Sequence, residues 1–282
     1  ESERRATLAE WIVRDDHPLT WRTIVNRVWQ WHFGQAIVGS PNDFGPLGET
    51  PTHPELLDWL AVYFRDSGGS FKNLHKLLVM SETYRQSSNG DGMKVTVDSS
   101  NQWLWRMNRL KLSAEEMRDS VLAVSGKLNF EMGGPGYYLF ALEQTAHSPH
   151  YYYHKFDPED DKSHRRSVYR FVVRSQPNPF MTTLDCADSS QSTPKRNETL
   201  TALQALSLLN NNFTLSMSRH FADRLGKESE GIVGQVRSGF QLVTGRLPDS
   251  EEQKLLVEYA KKHGMPNMCR SLFSLSEFAY ID

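Results

Sequence analysis

Asn26-Arg27-Val28-Trp29-Gln30-Trp31-His32-Phe33-Gly34, followed by Pro41-Asn42-Asp43-Phe44-Gly45 and by Thr52-His53-Pro54-Glu55-Leu56-Leu57-Asp58-Trp59-Leu60, is the stretch on which the fold turns. It reads as one aromatic-rich helix, one ordered loop and one capped helix. Trp21, Ile24, Val25, Val28 and His32 form a single stripe at helical spacing, with Thr20 where an N-cap belongs and Gly34 as a left-handed terminator. Asn26, Arg27 and Gln30 fall off that stripe, so they either face water or pin the loop that follows. The loop from Gln35 to Pro51 holds Ile37, Val38, Phe44 and Leu47. So many apolar side chains predict an excursion packed onto the protein. Thr52-His53-Pro54-Glu55 has the spacing of a capping box, ahead of a core face of Leu56, Leu57, Leu60, Ala61 and Phe64.

Working outward, the same grammar repeats. Ser70 caps a helix carrying Phe71, Leu74, Leu77 and Leu78. Ser113-Ala114-Glu115-Glu116 is a second capping box, opening a helix that stops near Gly126, and Asp249 with Glu252 makes a third. Trp103 to Met107 reads as the start of a further helix. Thr199 to Leu215 is apolar nearly all round and predicts a central buried helix in which Gln204 needs a hydrogen-bond partner. A last helix is predicted from about Met268 to Tyr280. Between Lys127 and Lys162 the period is lost, and Ser167 to Arg174 is β-branched and aromatic enough to predict a strand. The expected fold is therefore mainly α. It is one irregular multi-helix domain over residues 1–282, with a long ordered loop, a short β ribbon near residues 167–174, and possible sub-lobes at 1–126 and 127–282.

A chain of 282 residues can bury a large core. Its 32 basic and 34 acidic side chains leave a net charge of −2, which lacks the basic footprint of a nucleic-acid binder. No nucleic acid partner is expected. No apolar run is long enough to span a bilayer. The first residues, Glu1-Ser2-Glu3-Arg4-Arg5, include no initiator Met and no apolar leader, which suggests a piece of a longer precursor. Cys186 and Cys269 have no metal or dithiol spacing, and remain either buried thiols or one long-range disulfide.

Several strings, taken together, resemble one family from end to end. They are Asn26-Arg27-Val28-Trp29 with His32-Phe33-Gly34, Asn42-Asp43-Phe44-Gly45, His53 to Leu60, Ser81-Glu82-Thr83-Tyr84-Arg85-Gln86, Glu115-Glu116-Met117-Arg118-Asp119, Ser125-Gly126-Lys127-Leu128, Arg165-Arg166-Ser167-Val168-Tyr169 and Gln204-Ala205-Leu206. The family is the "fifteen-fifty-three" domain of unknown function, also called a planctomycete-specific domain. The resemblance implies the C-terminal domain of a large exported protein that often carries a cytochrome-c-like segment. It therefore implies an extracytoplasmic setting and companion domains of the same precursor as partners. It supplies no catalytic residues. No Cys-x-x-Cys-His motif occurs, so no cofactor is expected in this chain, and haem is expected only in a segment outside it.

Three clusters could carry chemistry. His147, His150, His154 and Asp157 combine imidazole and carboxylate in a way that suits zinc or another first-row metal, although the spacing fits no established signature and the rings could simply stack with tyrosines. Asp43 and His53, near Glu55 and Asp58, could form a general base or a ligand contact, against which capping and an Asx turn explain the same residues. Arg166, Arg170 and Arg174 would share a strand face and could bind carboxylate or sulfate groups of a glycan, or else pair with nearby acids. The function expected is a non-catalytic binding or scaffolding module of an exported multidomain cytochrome-c-type protein, with a polysaccharide as a possible ligand. The alternative is a hydrolase acting on polysaccharide, metal-assisted, whose cleft would be walled by the 35–51 loop and the histidine segment.

Overall fold

Apolar stripes at helical spacing, closed by side-chain caps, produce the mainly helical architecture that the sequence predicts. The computed structural model describes residues 2–146 and 148–281, and thirteen α-helices lie among them. The chain divides into two compact units, one ending at Leu110 and the other running from Lys111 to Ile281.

The first unit contains α1 (Ser2–Ile12), α2 (Thr20–Phe33), α3 (Pro54–Asp66), α4 (Phe71–Val79) and α5 (Gly92–Val97). Val25, Val28, Trp29 and Phe33 of α2 pack with Leu57, Leu60, Ala61 and Phe64 of α3 and with Leu74 and Leu78 of α4. Trp29 stacks on Phe33 at 4.0 Å. The 35–51 loop joins this core through Ile37 and Val38. Asn26, buried on α2, does the joining: its amide donates to the Val38 carbonyl at 3.1 Å and its carbonyl accepts the Val38 amide at 2.8 Å. Arg27 bonds the Pro41 carbonyl and the Asn42 side chain. Of the two roles open to these polar residues, pinning the loop is the one found for Asn26 and Arg27. Gly34 takes φ +77°, and a Cβ there would lie 2.6 Å from Leu110, so the helix end requires glycine.

Three local expectations change in this unit. Helix α2 begins at Thr20, with Leu19 at the cap position. His17 Nδ1 accepts the Leu19 and Thr20 amides instead, while the Thr20 hydroxyl donates to the Ile12 carbonyl. Thr52 does not cap α3; its amide and hydroxyl both go to the Ile37 carbonyl, at 2.9 and 3.3 Å, and His53 occupies the cap position. Trp103 to Met107 is not helical. Asp98 gathers the amides of Gln102 and Trp103 into a turn, and the Trp105 indole donates to the Asp98 carbonyl.

The second unit contains α6 (Ala114–Val124), α7 (Pro179–Thr183), α8 (Ala202–Asn210), α9 (Asn212–Glu228), α10 (Gly231–Thr244), α11 (Ser250–His263), α12 (Met265–Leu272) and α13 (Ser276–Ala279). The capping boxes at Ser113 and Asp249 both form. Met217, Phe221 and Leu225 of α9 are fully buried among Met117, Val121 and Leu122 of α6, Val236 and Phe240 of α10, and Met268 and Leu272 of α12. The central helix is thus α9. The predicted one from Thr199 to Leu215 is broken at Asn211, whose side chain accepts the Phe213 amide and starts α9. Leu200, Leu203 and Leu206 stay exposed, whereas Leu208 reaches the core. The last predicted helix divides into α12 and α13.

The small β element lies elsewhere than predicted. Ala141–Gln144 pairs antiparallel with Pro149–Tyr152, while Ser167–Tyr169 coils into a 3-10 turn. Within 167–174 only Arg170 makes a β bridge, to Tyr137. The Asp119 carboxylate accepts both the amide and the hydroxyl of Ser167, and that local capture overrides β propensity. Both cysteines are free thiols.

Replacing Asn26 by Ala leaves the buried amide and carbonyl of Val38 unpartnered. Asn26→Ala is expected to lower stability by about 1–3 kcal/mol per orphaned group, read as a fall in the urea midpoint with an unchanged slope; an unchanged midpoint would refute the pinning role.

Candidate functional site

In the second unit, α6 carries a fully buried cation. Arg118 is 1% exposed and donates to the carbonyls of Ser163 at 2.5 Å and Arg165 at 3.1 Å, with the Ser167 hydroxyl at 3.4 Å. Asp119, the next residue, binds Ser167 as described, so two adjacent α6 side chains hold the 163–167 backbone. Arg118 also lies 5.2 Å from the Tyr137 ring centre. Burial lowers its pKa, the direction expected for a cation removed from water. Arg165 in turn bonds the Pro135, Glu131 and Gly133 carbonyls. Gly136 is needed beside this segment, because a Cβ would meet the Tyr169 carbonyl oxygen at 2.9 Å.

This scaffold delivers Arg170 to a cavity of about 210 Å³ lined by Glu115, Arg170, Val172, Val173, Asn178, Met181, Cys186 and Ser189, among others. The Arg170 side chain is 8% exposed. One Nη lies 3.4 Å from Cys186 Sγ and 3.8 Å from the Glu115 carboxylate. Its Nε is buried without a hydrogen-bond partner. The opposite face of Glu115 is taken by Arg196 at 2.6 Å, and the Cys186 thiol lies 3.4 Å from Glu115. Burial opposes ionisation of Glu115, yet the Arg196 hydrogen bond and charge outweigh it and hold its pKa below the ordinary 4.5. Burial and the Glu115 charge push the Cys186 thiol up, so it is not an activated nucleophile.

The loop that brings Cys186 and Arg196 to this place is closed by Asp185, which adopts φ +66°. Its carboxylate accepts Lys111 Nζ at 2.9 Å, the Thr199 amide at 2.8 Å and Gln204 Nε2 at 2.9 Å. Gln204 therefore has the partner its burial requires. Arg174 donates to the Ser189 and Ser190 carbonyls at 3.1 and 3.2 Å and fastens the cavity wall. Of the side chains lining the cavity, the charged ones are Glu115 and Arg170, which balance each other, and an arginine with an unused donor is suited to an oxyanion.

The other residues singled out from the sequence are dispersed. Arg166 is exposed at the start of the 3-10 turn, so the three arginines do not share a strand face. His147 lies outside the described residues. His150 is exposed and stacks on Tyr152 at 6.2 Å, and His154 meets the same ring edge-on at 5.7 Å. Asp157 accepts the Glu159 amide in a turn. Among the described residues no group of three or more His, Cys, Asp or Glu is placed to hold a metal ion. In the first unit, the Asp43 carboxylate accepts the Gly45 amide at 2.8 Å, the Asx turn expected, while His53 Nδ1 contacts the Thr52 hydroxyl at 2.9 Å. Asp58 pairs with Arg22.

Sequence reading did not single out Glu115, Cys186 and Arg196 as one group. Glu115 had been absorbed into the Ser113 capping box, although the carboxylate that completes that box is Glu116. The residue left over from a satisfied cap was the available signal.

A second cavity in this unit, of about 560 Å³, is lined by Gly126, Lys127, Phe130, His220, Asp223 and Arg224, among others. Its Lys127 is paired with Asp161, and its Arg224 is paired with Glu228 and bonded to the Ala123 and Val124 carbonyls. These cations are committed in a way that Arg170 is not.

Comparison with known families matches residues 4–260 to the family described as protein of unknown function DUF1553, or PSD1. The chain belongs to that family. No curated protein and no solved structure matches it.

The lowered pKa of Glu115 means that its ionised form stabilises the fold above the ordinary value of 4.5, and that this contribution disappears as pH falls through the lower folded value. Glu115→Gln is expected to cost about 1.5–3 kcal/mol at neutral pH, the worth of a charge-assisted hydrogen bond. The penalty should shrink below pH 4.5, measured by urea unfolding across that range; a penalty independent of pH would contradict the assignment.

Proposed function

We propose that this chain, whose family carries no assigned activity, is a non-catalytic binding module whose ligand presents a carboxylate or sulfate group to Arg170. One observation carries the reading: a buried guanidinium with an unpartnered Nε lines a small cavity. An unsatisfied buried donor is costly, and an anion entering the cavity would relieve it. The raised thiol of Cys186 and the paired state of Glu115 argue against a nucleophile or a general acid there.

Resemblance to the planctomycete family supports the rest of the reading. The module would act outside the cytoplasm within a multidomain protein whose cytochrome-c-like haem segment lies outside this chain. Companion domains would then be its covalent neighbours.

Calorimetric titration of the purified chain with glucuronate, glucose and sodium sulfate tests the site. Glucuronate or sulfate is expected to bind and glucose not, and Arg170→Gln should weaken anion binding by at least about tenfold, the effect of losing a charge-assisted bond. Equal binding by Arg170→Gln would remove the proposal. Release of reducing ends from an acidic polysaccharide would favour a hydrolase instead.

A further inference from the structure

The cavity at Arg170 has room for one anionic group and little more, and the surface beside it is aromatic. Phe171 and Tyr138 are half-exposed, at 47% and 48%, and their rings meet at 5.1 Å. Both lean on Phe140, which is buried and is in turn flanked by Tyr151 at 5.1 Å and Tyr153 at 5.5 Å. This ridge is built into the same body as the cavity. The Phe171 amide donates to the Tyr137 carbonyl and the Tyr137 amide to the Tyr169 carbonyl, so Tyr138 is locked beside Phe171. The Tyr153 hydroxyl donates to the Gln176 carbonyl at 2.6 Å, and Gln176 returns a bond to the Tyr151 carbonyl at 3.1 Å. That exchange ties the hairpin to the residue preceding Pro177, a cavity-wall residue. Arg170, Val172 and Val173 line the cavity, with Phe171 between them in the chain.

A recess that presents a guanidinium, with an aromatic cluster that begins at the next residue of the chain, has the complementarity of a sugar chain bearing acid groups. The pyranose ring presents apolar C–H faces to aromatic rings, while its carboxylate or sulfate seeks a guanidinium. Resting on the reading of Arg170 as an anion site, we infer that the ligand is an acidic polysaccharide. One acidic residue enters the cavity, and the adjoining sugar stacks on Phe171 and Tyr138. A free small anion would leave the ridge unused, and an acidic peptide would not need flat apolar faces.

The test compares galacturonate with its linear trimer, and a sulfated trisaccharide in parallel distinguishes carboxylate from sulfate as the anion. The trimer is expected to bind at least about tenfold more tightly than the monomer, the order of gain a stacked ring supplies. Phe171→Ala and, separately, Tyr138→Ser should remove that gain while leaving monomer binding unchanged, and Phe171→Trp should keep it. An unchanged thermal midpoint and circular dichroism spectrum establish that each variant is folded. A trimer that binds no better than the monomer, a gain that survives both variants, or a triglutamate peptide that binds as tightly as the trimers would overturn the polysaccharide inference and leave the anion site standing. Absence of binding by monomer, trimers and sulfate alike would overturn both.

Discussion

The second unit is organised around a guanidinium that has been taken out of water. Arg118 cannot stay buried unless its donors are used, since an unpaired interior cation is among the costliest groups a fold can hold. Its partners are backbone carbonyls of Ser163 and Arg165 and the hydroxyl of Ser167, so satisfying the charge dictates the course of the chain. Asp119 adds a carboxylate at the next position of the same helix, and takes hold of the amide as well as the hydroxyl of Ser167. The path of residues 163–167 follows from these bonds, and Arg170 emerges where that path leads.

Arg118 and Arg170 illustrate two uses of one side chain. Arg118 is surrounded by protein acceptors and serves the fold. Arg170 is nearly as buried yet keeps an unpartnered Nε, with a thiol and an already paired carboxylate as its neighbours. Arg165 likewise keeps an unpartnered Nε, but of the two it is Arg170 that lines a cavity, which is why the proposed ligand is placed there. The Asp185 network makes this arrangement possible by closing the loop on Lys111, Thr199 and Gln204, which sets both Cys186 and Arg196 against Glu115.

The first unit applies the same logic with a neutral group. Asn26 presents a matched donor and acceptor to the backbone of Val38, deep in an apolar setting where both bonds are at their strongest. Ile37 and Val38 of the long loop are consequently part of the core. The Nδ1 of His17 and the amide and hydroxyl of Thr52 make the same point on a smaller scale, since each is spent on a neighbouring segment, and helix starts shift accordingly.

The mainly helical class, the ends of most helices, the capping boxes at Ser113 and Asp249 and the packing of Ile37 and Val38 were legible in the sequence, whereas Leu47, expected to pack with them, is exposed. They depend on local periodicity and on contacts three or four residues apart. Arg170 is a sequence candidate together with Arg166 and Arg174 on the expectation of a shared strand face, which the 3-10 turn at Ser167–Tyr169 removes. The fate of the strand expected at 167–174, the burial of the helix expected at 199–215 and the gathering of Glu115, Cys186 and Arg196 were decided by tertiary structure. For the strand and for the gathering, the deciding bond joins residues far apart in the chain, Asp119 with Ser167 and Glu115 with Arg196; the helix is broken locally, by the Asn211 side chain that accepts the Phe213 amide, and only the exposure of Leu200, Leu203 and Leu206 was left to packing. Propensity over a short window records what a segment prefers in isolation, whereas a buried charge is satisfied by whichever acceptor the whole fold brings within reach, and that choice is made only when the distant segments meet.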